Sequence, residues 1–266
     1  MKILAIGDPH GNLKTLKKIP LNDVDLILIT GDLGKADLAR KRAFENIERK
    51  RKGLKKLKDS AKSIKSVHNE IHFSTINILK YLSKYAPVYT IQGNVGIPSI
   101  SNVKKDNEKY NLNLKSTRKE INKIKDVTLI KNRLKMIEGL RIGFLEYFVD
   151  TNWVMDFKPS DYHKSLKKAK KQTNKAKKIL ERFKGVDILV CHQPPYGYLD
   201  KVSGKYGAPK KWRGKHAGSK VILNYIKEKQ PRYVFCGHIH EGEGKAKIGK
   251  TEVYNLGVCG WKIVNV

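Results

Sequence analysis

The chain has 266 residues, with 56 Lys and Arg against 25 Asp and Glu, a formal net charge of +31 and three cysteines. That length carries one sizeable core or two small ones, and no apolar run approaches the ~20 residues that span a bilayer, which excludes a membrane-embedded chain. Cys191, Cys236 and Cys259 are scattered within or beside apolar strands and make neither a disulfide framework nor a Cys-x-x-Cys zinc site, so a soluble, cytoplasmic protein with buried thiols is expected.

Met1-Lys2-Ile3-Leu4-Ala5-Ile6-Gly7 reads as a short strand, not a signal peptide, and it runs straight into Asp8-Pro9-His10-Gly11-Asn12. Leu13, Leu16 and Ile19 then give a short amphipathic helix before Pro20. A second strand, Leu26-Ile27-Leu28-Ile29, ends at Gly31-Asp32. From Ala36 to Leu82 the apolar residues fall at helical spacing, and Gly53 divides an Arg- and Lys-rich first helix from a second. The second carries an a/d stripe of Leu54, Leu57, Ala61, Ile64, His68, Ile71, Thr75, Ile78 and Leu82. His68 lies on that stripe, which predicts a packing role for it and not metal binding. Val88-Tyr89-Thr90-Ile91 is a third strand, ending at Gly93-Asn94. Residues 99–126 are polar and rich in Asn and Lys, and predict a surface excursion with at most one helix. Val127–Ile130, Lys135–Ile137 and Leu140–Leu145 read as strands, the last two a hairpin turning at Glu138-Gly139.

Between Ser160 and Gly185 a second stripe appears, Leu166, Ala169, Thr173, Ala176, Leu180 and Phe183, in an otherwise lysine-rich helix. Two narrow stripes predict that these helices pack side by side, as an arm beside the core or as a homodimer contact. The alternative is that each covers a sheet separately. Asp187–Val190 and Arg232–Phe235 are strands ending at Cys191-His192 and Gly237-His238-Ile239-His240. The glycine-rich loop between His192 and His216 carries Tyr196, Tyr198 and Trp212, which either stack a nucleobase or pin the loop to the core. A hairpin, Lys245–Ile248 with Thr251–Leu256, and the strand Trp261–Val264 complete the pattern. Strand-helix units followed by hairpins predict an α/β (α+β mixed) fold with two mixed sheets, one domain over 1–266 with lysine-rich helical insertions near 36–84 and 160–184.

Five segments thus sit at strand ends: Asp8-Pro9-His10, Gly31-Asp32, Gly93-Asn94, Cys191-His192 and Gly237-His238-Ile239-His240. In α/β folds ligands gather outside the carboxyl ends of strands. Two aspartates, an asparagine and four histidines are the mixture that two divalent ions about 3.5–4 Å apart require, with one carboxylate as bridge.

The ordered set resembles the calcineurin-like metallophosphoesterase superfamily, whose signature runs D-x-H, G-D, G-N-[HC], H and G-H-x-H. The resemblance covers nearly the whole chain and implies a β-sandwich flanked by helices with the metals at one rim. It implies Asp8, His10, Asp32 and His240 on one ion, and Asp32 as bridge with Asn94, His192 and His238 on the other. Imidazole and carboxylate donors suit Mn, Fe, Zn, Ni or Co. Cys191–Asp200, Gly214–Ser219 and Gly237–Gly242 are also similar to the branch of small cytosolic phosphodiesterases. The departure is at Val95-Gly96, where most members carry a histidine followed by an acidic residue. That histidine is usually assigned to protonate the leaving oxygen, help worth about 10²–10⁴-fold. His216, in the loop before a helix capped by Ser219, is the first candidate to replace it; the plainer reading is an exposed or capping histidine.

Two functions follow as expectations. One is dinuclear metal-dependent hydrolysis of phosphate esters, a phosphodiesterase on nucleotide-like substrates, with Asp32, Asn94 and His216 as catalytic residues. The other is a metal-retaining protein that binds nucleic acid or phospho-ligands with weak or lost turnover. The charge suits a polyanionic partner such as nucleic acid on the lysine-rich helices, although a solvated lysine face is the ordinary explanation.

Overall fold

The computed structural model describes all 266 residues. Its strands are β1 (Lys2–Ile6), β2 (Leu26–Ile29), β3 (Val88–Thr90), β4 (Val127–Leu129), β5 (Arg133–Ile137), β6 (Leu140–Leu145), β7 (Ile188–Cys191), β8 (Tyr233–Cys236), β9 (Gly244–Ile248), β10 (Thr251–Asn255) and β11 (Trp261–Asn265). One sheet runs β11-β1-β2-β3-β4 and the other β5-β6-β7-β8-β10-β9. Both have a parallel centre, β1 to β4 in the first and β6, β7, β8 and β10 in the second. Their antiparallel members, β11, β5 and β9, lie at edges.

Strands covered on both faces must be apolar throughout, and the alternation of side chains sorts each run into two layers. On β1 and β2, Ile3, Ala5, Leu26 and Leu28 point between the sheets. There they meet Ile142 and Phe144 of β6, Ile188 and Val190 of β7 and Phe235 of β8. Leu4, Ile6, Ile27 and Ile29 point outward onto helix α3 (Ala61–Leu82), through Ile76, Ile78, Leu79 and Leu82. On the far side, Leu189, Cys191, Val234 and Cys236 point outward onto α7 (Tyr162–Glu181) and α8 (Lys220–Lys229), through Ala176, Ile179, Leu180, Ile222 and Ile226. The result is four layers, helix, sheet, sheet, helix, with all three thiols free and buried.

That arrangement corrects the side-by-side packing of the two striped helices. α3 and α7 lie on opposite outer faces, because each sheet needs its own apolar cover and a narrow stripe is enough to supply it. Leu54 and Leu57 are not on α3 either. The first helix, α2 (Asp37–Arg51), ends near Gly53, whose φ is +68°, and α3 begins only at Ala61. Ser60 fixes that start: its hydroxyl accepts from Ser63 N while the Ser63 hydroxyl accepts from Ser60 N, a capping box. Ser60→Ala should therefore destabilise the protein by about 1 kcal/mol in urea unfolding, with metal content unchanged. α2 itself has no buried residue and carries its cations into solvent.

Residues 99–126 hold two helices instead of at most one, α4 (Ile100–Tyr110) and α5 (Thr117–Ile121), each started by a serine cap, Ser99 and Ser116. α5 seats Ile121 in the first outer layer. His68 packs as expected: its Nε2 lies 2.8 Å from the Lys115 carbonyl and its ring stacks on His72. The short helices α1 (Leu13–Leu16) and α6 (Thr151–Phe157) complete the set. No helix is long and apolar enough to cross a membrane.

Candidate metal centre

β1, β2, β3, β7 and β8 end on the same rim, and the five segments that follow them converge there. Asp8 is wholly buried and both its oxygens are engaged. Oδ1 accepts from the Thr30 hydroxyl at 2.8 Å and Oδ2 from His238 N at 2.6 Å. His240 Nε2 stands 3.4 Å from the same Oδ2 and 3.2 Å from His10 Nε2. Asp32 is also buried, with Oδ1 accepting from Val95 N at 2.7 Å. Its second oxygen, Oδ2, has no protein donor and lies 3.9 Å from His10 Nε2 and 3.6 Å from His192 Nε2. Asn94 Oδ1 lies 2.8 Å from His192 Nε2 and 2.7 Å from His238 Nδ1. All seven ligand positions read from the sequence are thereby brought together.

The donor atoms of Asp8, His10 and His240 fall within 4.8 Å of one another, as do those of Asp8, Asp32 and His192. Proximity alone would make Asp8 the shared carboxylate, but the tautomer of His192 decides otherwise. Its Nδ1 is 2.9 Å from the Thr30 carbonyl, which can only accept, so Nδ1 carries the proton and Nε2 is the lone-pair nitrogen. The Nε2 atom faces Asp32, leaving Asp32 Oδ2 as the free carboxylate oxygen between imidazoles of both halves.

Electrostatics suit cations. Burial, with neighbouring His192 adding to it, holds His238 neutral, its pKa lowered to about 3, and burial lowers that of His10 as well. Burial raises the Asp32 carboxyl, His192 opposes this and Asp8 adds to it. Burial would also raise Asp8, but His192 and the bonds from His240 and His238 hold it below the usual carboxylate range. Neutral imidazoles and crowded carboxylates are the donor set two divalent ions need, and their charge would offset the carboxylate repulsion.

The backbone is tight around these groups. His10, Asp32 and His238 have φ of 43°, 42° and 66°, a left-handed conformation that non-glycine residues adopt at a cost and that clusters at functional sites. Gly93 and Gly237 are required by close approach. A Cβ on Gly93 would overlap Asp32 Oδ1 and His192 Cε1, and one on Gly237 would overlap both Asp8 oxygens.

His216 stands apart from the seven. Its Nδ1 donates to the buried Asp200 Oδ1 at 2.6 Å and its ring neighbours Tyr196, with the side chain 39% exposed. Trp212 pins its loop, packing in T-shaped contacts with Phe157 and Trp153, and Tyr198 packs on the second outer layer.

Two aromatic residues at the centre were not foreseen. Tyr147 follows β6 and sets its ring 5.2 Å from His238 and 5.7 Å from His192. Burial, with Asp32 nearby, pushes its phenol up to about 12, so it stays a donor at neutral pH. The available signal was its place at the carboxyl end of a strand beside β7. Tyr206 sets its ring edge-on to His240 at 5.2 Å. A cavity of about 520 Å³ opens beside His240, lined among others by Lys201, Lys205, Glu241 and Glu243.

The family model for calcineurin-like phosphoesterases matches residues 1–242. The chain belongs to that family. Human metallophosphoesterase domain-containing protein 1 is 41% identical over 86 residues, 30% of this chain and 24% of that protein. The Caenorhabditis elegans UPF0046 protein K07C11.7 is 31% identical over 90 residues, 32% of this chain and 28% of that protein. The chain thus spans about a quarter of the length of these relatives. A solved structure, 15% identical, superposes over 97% of this chain and 90% of that chain with a TM-score of 0.58, which shows a shared fold of two mixed sheets flanked by helices. The family match spans all five strand-end segments of the rim. Within the family pattern, Val95 contributes its backbone N–H to Asp32 and no ionisable side chain.

Proposed function

We propose that the chain is a two-metal phosphodiesterase acting on nucleotide-like phosphate esters. The observation that carries this reading is Asp32 Oδ2, free of protein donors and placed between His10 Nε2 and His192 Nε2. Asp8, His10, Asp32 and His240 would hold one ion, and Asp32, Asn94, His192 and His238 the other, with Mn, Fe, Zn, Ni or Co as candidates. Such ions would activate a water and neutralise charge on the phosphoryl group. The protein's part is to orient. The Thr30 hydroxyl and His238 N fix Asp8, Val95 N fixes Asp32, and the Thr30 carbonyl fixes the His192 tautomer.

The cavity beside His240 supports a diester over a monoester. Its two lysines are matched by two glutamates, so it adds no net positive charge for a monoester dianion. Tyr206, an aromatic ring against His240 with Lys205 Nζ over it, supports a nucleotide-like leaving group at this end of the rim. Hydrolysis of a nitrophenyl diester and of cyclic and linear nucleotides across a metal panel tests the reading. Phosphate-ester binding without turnover under every metal would favour instead the ligand-binding alternative that Val95 suggests.

Tyr147 is the proposed donor to the leaving or phosphoryl oxygen in place of the histidine absent at position 95, with His216 as the second candidate. Tyr147→Phe should lower turnover of alkyl diesters by about 10²-fold and of nitrophenyl diesters by less, because a poor leaving group needs its proton most. An equal loss on both substrates would assign Tyr147 to packing of His192 and His238, and a selective loss in His216→Ala would transfer the role.

A further inference from the structure

The outer helix α7 carries eight lysines and one glutamate, and its apolar stripe is spent on the second sheet. Lys164, Lys168, Lys171, Lys175, Lys178 and Arg182 recur at steps of four and three, so they form one row along the helix. At 1.5 Å per residue the row is about 27 Å long. None of these six side chains has a carboxylate within ion-pair distance, although the shorter-range pairs elsewhere on the surface show that acids are found where they are present. Against the lower part of the row lies a cavity of about 720 Å³, closed on its other side by Lys131 and Asn132 of the β4–β5 connection. The acids near it are few: Asp161 beside Lys164, Glu181 next to Arg182, and Glu146, which accepts from Asn132 Nδ2 and lies near Lys131, Arg118 and Lys175.

The row does not end at the helix. Lys50 Nζ of α2 donates to the hydroxyl of Ser160, just before α7, and brings the exposed, basic α2 against its beginning. Arg40, near the other end of α2, donates to the Tyr206 carbonyl, and Tyr206 adjoins His240. α2 therefore joins the start of the α7 row to the metal rim, with cations at its two ends, Arg40 to Arg42 and Arg49 to Arg51, and Glu45 and Glu48 between them.

We infer that the α7 row and its cavity bind the phosphodiester backbone of a nucleic-acid strand. Charge complementarity and shape choose this occupant. A straight row about 27 Å long matches a linear polyanion better than a compact phosphate, and an anionic bilayer would gain only the electrostatic part of its attraction, because α7 has already buried its apolar face. The binding goes beyond the phosphodiesterase reading and is measured with the metals chelated, so either can fail alone.

Anisotropy of labelled 20-nucleotide single strands and duplexes across a salt series tests the inference. Replacing Lys171, Lys175, Lys178 and Arg182 together by glutamine should reduce the slope of log K against log salt by about 3.6 for duplex and about 2.8 for a single strand. A charge-matched control, glutamine at Lys105, Lys109, Lys119 and Lys125, should leave the slope near that of the unaltered protein. In the unaltered protein, bound oligonucleotide should also protect Lys171, Lys175 and Lys178 from acetylation, a readout that does not depend on any variant folding. No oligonucleotide binding at low salt, equal slope loss in the control, no protection, or binding of inorganic polyphosphate or anionic vesicles alone would each overturn it.

Discussion

Asp32→Asn should lower metal-dependent phosphoester hydrolysis by about 10³-fold or more while leaving the fold intact, a loss in the range found when one member of a catalytic unit is removed. The amide can still accept from Val95 N through Oδ1. Its nitrogen, placed where Oδ2 stood, has no lone pair for an ion and no charge to join the two halves. The stability consequence has the opposite sign. Because burial raises the Asp32 carboxyl above its unfolded value, an ionised Asp32 disfavours the folded state at neutral pH when no metal is present. The substituted protein, stripped by chelator, should melt at or above the temperature of the stripped unaltered protein, yet gain less from added metal. Elemental analysis, rates and melting curves with and without chelator measure this; a metal-free variant hydrolysing at the native rate would end the dinuclear reading.

Gly237→Ala should cost about 1–3 kcal/mol of stability, the usual range for overpacking, and weaken metal binding by about 10–100-fold, the range for losing a partner that orients a ligand. The added methyl overlaps both Asp8 oxygens, and Asp8 cannot yield outward because Thr30 and His238 N hold it from two sides. Calorimetric metal titration together with urea unfolding would separate the two effects. Native metal affinity in this variant would mean that Asp8 is not held against the Gly237 backbone.

The rim was legible because each of its parts is local. An apolar run followed by Asp8-Pro9-His10 or by Gly31-Asp32 states both the strand and the ligand, and parallel pairing then aligns the ends. Helix partners were less legible: the stripe on α7 shows that it is covered, not which sheet covers it. The boundary at Ser60 overrode a stripe that continued back to Leu54, since a satisfied cap outweighs the exposed Leu54 and the half-buried Leu57. Tyr147 was hidden for a different reason. Nothing near it in sequence suggests chemistry, and only the pairing of β6 with β7 carries it beside His192.

The pairing of β11 with β1 has a consequence for biosynthesis. Ile6 is opposite Trp261, Gly7 N donates to the Gly260 carbonyl, and the Asp8 carbonyl accepts from Cys259 N. The first ligand of the centre is therefore anchored by residues made some 250 positions later. While the chain is still growing from the ribosome it displays Asp8, His10, Asp32, Asn94 and His192 in turn, all without the strand that sets Asp8 in place. A polypeptide released before Trp261 would own all seven ligands, with Thr30 and His238 N available to the Asp8 carboxylate but no β11 to hold the β1 backbone that carries it, so the centre is completed only once β11 has joined the sheet.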